Sequence, residues 1–443
     1  MRIIVKQIQV ALLVLLSGIT IFAQESDFTK LDSLFQILEQ KDRFMGSIAI
    51  SHKGQSIYKK SVGFADVLTE KKTGTKTKFR IGSISKTFTA SLVFKAIEND
   101  KLNLDDTIAR YFPNVPNANT ITISNLLNHR SGIYNFTNNP LYLSWNTTAK
   151  SKENLIKIII GGGSVFEPNS KSEYSNSNYV LLTFILETVF EKSYPALIKE
   201  HITEPLKLNS TYFGGKIAIE DNEANSYQYT KGWEKQTETD MSIPLGAGAI
   251  VSNPTNLNTF MKALFDGDII SKESLATMIA LKENYGKGIF QVPFGEKKGY
   301  GHTGGIDGFS SVAYYFPEDE VSISLTSNGN RYSNNDIIIA GLSAFYGMSV
   351  TIPNFETVKL TTEQLETYLG VYSSEQFPLK ITITQEKGAL YGQATGQPSF
   401  PLDAKKNDTF EFLPAGVRLE FQPSQNKMTL KQGGGSFILT KED

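Results

Sequence analysis

Apolar positions in the first quarter of the chain follow two different periods. Residues 28–39 repeat apolar side chains every three to four positions, which predicts a helix, whereas residues 46–51 and 56–64 alternate as strands do. A long apolar-rich segment, residues 83–97, then predicts a second and largely buried helix. The chain therefore begins with helix, two strands and helix.

The middle of the chain is mixed, and strands return after it. Residues 102–281 combine helical segments such as 179–189 with turns rich in Asn, Gly and Pro. Alternating apolar positions reappear at residues 310–316 and 321–327. Strands at both ends of a helical region predict an α+β domain whose sheet is assembled from both ends, which we assign to residues 24–352.

The pattern changes after Pro353. The remaining apolar segments are short, alternating and separated by turns, and they lie at residues 379–384, 389–392, 410–413, 417–421 and 437–439. Short strands of this kind form small antiparallel sheets or barrels. We therefore predict a separate β-rich domain over residues 353–443.

Residues 1–23 carry the features of a secretory signal peptide. Arg2 and Lys6 precede an apolar run over residues 10–22, and Ala23 comes directly before a polar segment. The run is shorter than the ~20 residues that a membrane-spanning helix needs. We expect cleavage after Ala23, no stable membrane span afterwards, and a periplasmic or secreted protein.

Charge and composition exclude several classes of function. The chain of 443 residues has 44 basic and 45 acidic residues and no dominant basic stretch, so nucleic acid is not expected as a partner. It contains no cysteine, which excludes disulfides and thiolate metal sites. The 4 histidines lack the spacing of metal ligands, so we expect no metal and no cofactor.

Ser83 and Lys86 form the strongest candidate for chemistry. One helical turn separates them at the start of the second helix, which would bring the hydroxyl and the amine together. A serine hydroxyl becomes a nucleophile when a neighbouring base takes its proton. Backbone N–H groups at a helix start are also free to stabilise negative charge there.

The same Ser-x-x-Lys pattern occurs twice more, in settings that argue against chemistry. Ser56 and Lys59 lie in a predicted strand, where residues three apart point to opposite faces. Ser424 and Lys427 lie in a polar turn between two predicted strands. We therefore expect only Ser83 and Lys86 to cooperate.

Two further clusters accompany Ser83 along the chain. Tyr174 and Asn176 offer a phenol that could move a proton and an amide that could hold a peptide backbone. Residues 299–305, just before the returning strands, combine His302 and Thr303 with glycines that allow a close backbone approach. Tyr332-x-Asn334 and the segment 72–74 repeat these patterns by chance, but they lie in the wrong order along the chain.

In this order, the motifs resemble the serine penicillin-recognising superfamily, which includes class C β-lactamases, D-alanyl-D-alanine carboxypeptidases, D-aminopeptidases and related esterases. Residues 126–133, 204–211 and 247–252 are similar to other segments of that family. The resemblance covers approximately residues 28–347. It implies a mainly antiparallel sheet flanked by helices, with a helical subdomain beside it and the active site between the two.

The resemblance also implies roles for the motif residues. Ser83 would be the acylated nucleophile and Lys86 its activating partner. Tyr174, with phenolate character sustained by Lys86, would protonate the leaving group and then activate water. The backbone N–H groups of Ser83 and Gly305 would form the oxyanion hole.

Asn176 would bind the amide on the acyl side of the substrate, with His302, Thr303 and Gly304 on the opposite wall. His129 and Ser131 look like family residues as well. A packed, hydrogen-bonded turn explains them equally, so we leave them out of the predicted site.

His302 directs the prediction of substrate. Most β-lactamases of the superfamily carry lysine there, whereas His-Thr-Gly resembles certain D-alanyl-D-alanine carboxypeptidases and D-aminopeptidases. We expect a serine hydrolase acting on peptides or esters, with D-amino-acid peptides favoured. A carboxylesterase or weak β-lactamase of the same fold is the first alternative.

A protein that binds peptidoglycan or β-lactams without turning them over is the second alternative. Such a binder need not retain Ser83, Lys86 and Tyr174 together, which argues against it. Contact with peptidoglycan stays open as a partner prediction, as does the role of the C-terminal domain.

Overall fold

The structure is a computed structural model that describes residues 27–230, 232–283, 285–386, 388–406, 408–432 and 435–442. The predicted signal peptide, residues 1–23, lies outside the described residues. Within the described ranges, no helix is both long enough and apolar enough to cross a membrane.

The α-helices include the three that the sequence pattern predicts, near the start of the described residues, after Ser83 and after Asn176. In chain order they are α1 (Thr29–Gln40), α2 (Ser85–Glu98), α3 (Ile123–Leu127), α4 (Tyr142–Trp145), α5 (Lys152–Gly162), α6 (Asn176–Phe190), α7 (Tyr194–Ile198), α8 (Pro254–Asp266), α9 (Lys272–Ile279), α10 (Asn334–Phe345) and α11 (Thr362–Glu366).

The strands fall into a central sheet, a C-terminal barrel and small two- or three-stranded pairings. In chain order they are β1 (Phe44–His52), β2 (Gln55–Val62), β3 (Phe64–Asp66), β4 (Lys71–Lys72), β5 (Phe79–Arg80), β6 (Tyr212–Phe213), β7 (Tyr227–Tyr229), β8 (Trp233–Lys235), β9 (Ile250–Ser252), β10 (Phe290–Phe294), β11 (Lys297–Ile306), β12 (Phe309–Phe316), β13 (Val321–Asn330), β14 (Gly370–Ser374), β15 (Phe377–Glu386), β16 (Ala389–Ala394), β17 (Phe400–Ala404), β18 (Thr409–Phe412), β19 (Val417–Gln422), β20 (Lys427–Gln432) and β21 (Gly435–Lys441).

The central sheet joins the two ends of the main domain. Its order is β10-β11-β12-β13-β1-β2, and each neighbouring pair is antiparallel. The pairing of β1 with β13 puts Ile48 opposite Leu325, so a strand near the start of the chain adjoins one from beyond residue 320. The prediction of a sheet built from both ends is confirmed.

Helices cover both faces of this sheet because successive side chains of its strands point to opposite faces, and both faces are apolar. On one face, α1 and α10 enclose a core that contains Phe35, Ile48 and Ile338. On the other face, α8 packs against β1, β12 and β13, and α2 and α6 continue that core into the helical region. The active-site motifs lie on this second side.

The C-terminal segment closes into a barrel in which β14 pairs with both β15 and β21. Its interior is apolar, with Leu390, Phe410 and Leu439 almost fully buried. The five strands predicted from the sequence are present. Strands β14, β17 and β20 were not predicted, and their pairing converts the expected small sheet or barrel into a closed barrel.

Candidate active site

Ser83 lies in a short 3₁₀ turn, Gly82–Ile84, that connects β5 to α2. The sequence pattern predicts that Ser83 opens the helix, but the α-helix begins at Ser85. Gly82 has a φ of +50°, and a Cβ there would stand 2.7 Å from the backbone nitrogen of Gly305. A glycine before the serine therefore allows the turn to approach β11 closely.

Lys86 is fully buried beside Ser83. Its Nζ lies 2.9 Å from Ser83 Oγ, 2.8 Å from Asn176 Oδ1 and 2.7 Å from the carbonyl oxygen of Ala247. Burial holds the pKa of Lys86 well below its ordinary value because the charged form loses its hydration. A neutral amine has two N–H groups and one lone pair, so Asn176 and Ala247 can take both hydrogens and leave the lone pair facing Ser83.

Tyr174 completes the contacts of the nucleophile. Its hydroxyl donates to Ser83 Oγ at 2.7 Å, and Lys86 Nζ stands 4.8 Å from the centre of its ring. Burial raises the pKa of Tyr174, so the environment favours the neutral phenol over the phenolate that the family resemblance implies. The structure thus brings Ser83, Lys86 and Tyr174 together with Tyr174 as a proton donor.

Asn176 begins α6, and its amide is held on both sides. Its oxygen accepts from Lys86, while its Nδ2 donates to Thr137 Oγ1 at 3.1 Å. Its backbone N–H donates to Asn135 Oδ1 at 3.0 Å. The side chain also lines the cavity beside Ser83, so it both orients the lysine and faces the space where substrate would lie.

The cluster at residues 299–305 lies on a strand, β11, rather than in the segment before the returning strands. Strand β10 pairs with β11 only as far as Gly301, so residues 302–306 have β12 on one side and, among the described residues, no strand on the other. This open edge runs past Ser83. A Cβ on Gly304 would stand 2.0 Å from the carbonyl oxygen of Ile81, so Gly304 is needed for contact between two protein segments.

His302 is buried behind this edge, and Thr303 is exposed. The Nδ1 of His302 lies 2.5 Å from the carbonyl oxygen of Thr303. The centre of the His302 ring lies 4.9 Å from that of Phe290 and 6.4 Å from that of Tyr174. Burial lowers the pKa of His302 to about 3, because the charged imidazolium would lose its hydration. A neutral imidazole therefore stands where a β-lactamase-like site would carry a lysine cation.

His129 is a neighbour of the site that sequence reasoning left out. Its ring centre lies 4.4 Å from that of Tyr174, and its Nδ1 accepts from the backbone N–H of Ser175 at 3.2 Å. Burial holds the pKa of His129 well below its usual range. Ser131 donates to Asn178 and supports the turn. The packed-turn interpretation is thus correct for Ser131, while His129 also positions the ring of Tyr174.

A cavity of about 430 Å³ opens beside Ser83. Its apolar lining residues are Phe136, Tyr142, Leu143, Pro244 and Ile306. Its polar lining residues include Asn146, Asn176, Gln236, Thr237, Thr239 and Asp307. Apart from Asn176, these residues have no motif spacing that the sequence could have revealed.

The negative charge in this cavity is already neutralised. Asp307 accepts from Arg80 at 2.9 Å and from the hydroxyl of Thr239 at 2.7 Å. The Arg80 side chain is only 3% exposed, so this ion pair is part of the scaffold that supports the cavity wall. A neutral substrate portion fits such a cavity best.

The two chance copies of the serine motif lie away from this cavity. Ser56 and Lys59 are on β2, and Ser424 is in a short 3₁₀ turn between β19 and β20. Neither serine contacts its lysine in the described part of the chain. The prediction that only the Ser83 copy forms a pair is confirmed.

The family model described as Beta-lactamase matches residues 31–343. Penicillin-binding protein 4* of Bacillus subtilis (strain 168) is 26% identical over 426 residues, which cover 88% of this chain and 93% of that protein. The octameric penicillin-binding protein homologue from Pyrococcus abyssi has a TM-score of 0.65 and 25% identity, over 94% of this chain and 100% of its own.

A third similar structure is D-amino acid amidase from Ochrobactrum anthropi SV3, solved with L-phenylalanine amide. It has a TM-score of 0.64 and 25% identity, and the match covers 72% of this chain and 98% of the amidase. The family match spans the central sheet, the helical region and every residue of the Ser83 cluster. This chain belongs to the Beta-lactamase family of serine hydrolases.

Proposed function

We propose that this protein hydrolyses peptide or ester bonds of D-amino-acid substrates through an acyl-enzyme on Ser83. The observation that carries the proposal is the buried Lys86 amine, 2.9 Å from Ser83 Oγ and fixed by two other acceptors. Burial favours its neutral form, and a neutral amine so held is a general base.

Acylation begins when Lys86 takes the proton of Ser83. The Ser83 oxygen then forms a bond to the substrate carbonyl carbon, and the carbonyl oxygen becomes an oxyanion. The backbone N–H groups of Ser83 and Gly305 are its proposed donors, since Gly305 nitrogen lies next to the turn that carries Ser83.

Tyr174 protonates the leaving group. Its phenolic proton passes to the departing amine or alcohol as the carbon–nitrogen or carbon–oxygen bond breaks, and the proton held by Lys86 restores the phenol. In deacylation, water loses a proton to the same pair and attacks the ester carbon, and Ser83 recovers its proton. The 2.7 Å contact of Tyr174 with Ser83 Oγ supports this role.

The open edge of β11 is the proposed binding site for the substrate backbone. An extended peptide segment can hydrogen-bond to unpaired backbone groups at a sheet edge. Thr303 and Gly305 belong to the edge segment that has no strand beyond it in the described residues. The apolar lining residues Phe136, Tyr142 and Leu143 would then hold the acyl side chain.

Two observations favour D-amino-acid substrates over β-lactams. His302 is neutral and buried, so the site lacks the cation that most β-lactamases of the superfamily carry there. A similar structure is a D-amino acid amidase.

The test is intact-protein mass spectrometry after brief incubation with a penicillin, a D-alanyl-D-alanine peptide and an activated ester. Wild type should form an acyl adduct and release product fastest from one of the D-amino-acid or ester substrates. Ser83→Ala should form none. Ser424→Ala removes a serine of the same Ser-x-x-Lys pattern and should behave as wild type.

An adduct that persists in Ser83→Ala would overturn the proposal. A stable adduct on wild type with no product release would favour the non-catalytic binder instead. Export belongs to the same proposal. When the gene is expressed in an exporting host, we expect the mature N terminus at Gln24, and an intact Met1 terminus would contradict cleavage.

A further inference from the structure

A second cavity, of about 730 Å³, lies between the barrel and the main domain. We call it the interdomain groove. Its walls are the β7–β8 hairpin, the ends of β12 and β13, and the barrel strands β17 and β18, and the residues used below are Tyr229, Arg331, Phe400 and Phe412.

The interdomain groove lies beside the catalytic cavity and shares two lining residues with it. Gln236 and Asp307 line both. Gly305 on β11 pairs with Ser310, which pairs with Ser327 on β13, so two strand spacings, about 10 Å, separate the oxyanion region from β13. Arg331 follows directly after the end of β13, roughly 15 Å from Gly305.

The carboxylates in the groove are already paired with cations. Asp307 contacts Arg80 at 2.9 Å, and Asp403 contacts Arg43 at 3.3 Å. The third, Glu411, contacts Arg418 at 3.4 Å and Lys405 at 3.8 Å. None of them is therefore left to repel an anion strongly.

Arg331 is different, because its guanidinium has no carboxylate within 4.0 Å among the described residues. It stacks on Tyr229 instead, with its central carbon 3.7 Å from the ring centre. Partial burial lowers the pKa of Arg331, with a further contribution from Arg43. The more distant carboxylates of Asp403 and Asp42 only partly oppose this shift. A stacked guanidinium keeps its N–H edge free for a planar or tetrahedral anion.

The barrel supplies the facing wall. Phe400 and Phe412 stack on each other with ring centres 4.6 Å apart, and both line the groove. A groove with aromatic rings on one side and a single unpaired cation on the other suits a chain that is apolar in the middle and anionic further out. An extended segment of about five residues spans the distance from Ser83 to Arg331.

We propose that the interdomain groove is an extended substrate subsite in which Arg331 binds a carboxylate or phosphate on the part of the substrate remote from the scissile bond. The proposal rests on the proposed hydrolase function. It gives the barrel a role, since the groove has no second wall without it. The substrate class is then an acyl compound that carries an anionic arm.

The test compares two substrates with the same scissile bond, one with an anionic arm and one with the arm amidated or esterified. Arg331→Gln should lower kcat/KM for the anionic substrate about tenfold, through KM, and leave the neutral substrate unchanged. The control Arg110→Gln removes another arginine that stacks on a tyrosine, outside the groove, and should change neither. Arg331→Lys should recover part of the preference.

Equal loss on both substrates, or no loss on either, would overturn the subsite while leaving the hydrolase function intact. If Ser83→Ala retains turnover, the hydrolase function itself fails. Binding can be measured without turnover by titrating the Ser83→Ala protein with an acyl peptide that ends in a carboxylate and with its phosphate-ended counterpart. The tighter of the two identifies the anion, and binding that is unaffected by Arg331→Gln contradicts the subsite.

Discussion

The central sheet has an open strand edge among the described residues, whereas the C-terminal barrel is closed. The central sheet leaves residues 302–306 of β11 without a partner strand beyond β12 in the described chain, and Ser83 lies beside that edge. The barrel pairs its first strand with its last and leaves no such edge among the described strands. Unpaired backbone groups bind other chains, whereas closure removes them. Chemistry is therefore expected at the sheet, and support from the barrel.

The interior around Ser83 and the interior of the barrel also differ, in the polarity of their buried side chains. The region around Ser83 buries Lys86, His129 and His302, each with its pKa shifted by the loss of hydration. The barrel core consists of apolar side chains such as Phe410 and Leu439. A perturbed cluster in a cleft is where function is expected, and a dry apolar core is where stability is expected.

Replacing Lys86 with methionine tests the catalytic half of this comparison with the largest expected effect. Lys86→Met keeps the volume but removes the lone pair that faces Ser83, so kcat should fall about 10³- to 10⁴-fold. The change in the free energy of unfolding should be small, because relief of the buried amine is offset by the loss of the donor to Asn176 and to the Ala247 carbonyl. Lys95→Met, on the same helix, is the control. A kcat within tenfold of wild type would remove Lys86 as the base.

Truncating Phe410 tests the barrel. Phe410→Ala should lower the free energy of unfolding by about 4 kcal/mol, because a large buried ring leaves a cavity. The kcat for a small ester should be unchanged under conditions where the protein is folded. Urea unfolding followed by circular dichroism measures the first quantity. Ile438→Ala, on the exposed side of β21, should cost less than about 0.5 kcal/mol.

A methyl group on Gly304 sharpens the role of the open edge. Its Cβ would stand 2.0 Å from the carbonyl oxygen of Ile81, so β11 must move away from Ser83. We expect Gly304→Ala to reduce kcat/KM about 100-fold, as the loss of one oxyanion donor does. Gly215→Ala, where a Cβ meets no atom within 4 Å, should leave it unchanged. Equal activities would show that the edge does not align the oxyanion donors.

His302 affects the dependence of stability on pH, and near neutral pH this effect is the smallest of the four. Its pKa is about 3 in the folded protein against an ordinary 6.5, so between these values the unfolded state binds a proton that the folded state does not. Unfolding free energy is therefore lost as the pH falls from 6.5 toward 3, by about 1.4 kcal/mol per pH unit from this group. In urea unfolding at several pH values, His302→Asn should lack that contribution. If unfolding free energy varies with pH in the same way in wild type and in His302→Asn, the contribution of His302 is contradicted.

The sequence predicts the catalytic side chains better than the residues and backbone groups that surround them. Ser83, Lys86 and Tyr174 could be identified because their motifs follow one another in the order that resembles the superfamily. The carbonyl of Ala247 could not, since a backbone acceptor has no residue signature. The burial of His302 and its contact with Phe290 also depend on packing between segments that are distant in sequence or on different strands.

The fold shows the same division. Strands with clear alternation were predicted, whereas β14, β17 and β20 were missed. Their sequences contain Gly370, Pro401 and two lysines of β20, which favour strands weakly. Pairing with neighbours in a closed barrel imposes the strand conformation on them, and no local pattern records that closure.

The pairing of β1 with β13 has a consequence for the synthesis of the protein. Strand β1 is translated long before its partner β13, which ends at Asn330. One edge of β1 therefore stays unpaired while most of the main domain is translated. Contacts between such distant residues form slowly. Closure of the barrel comes later still, because Tyr372 of β14 pairs with Lys441 of β21. A chain truncated before residue 441 would therefore lack the pairing that closes the barrel, even though it contains Ser83, Lys86 and Tyr174.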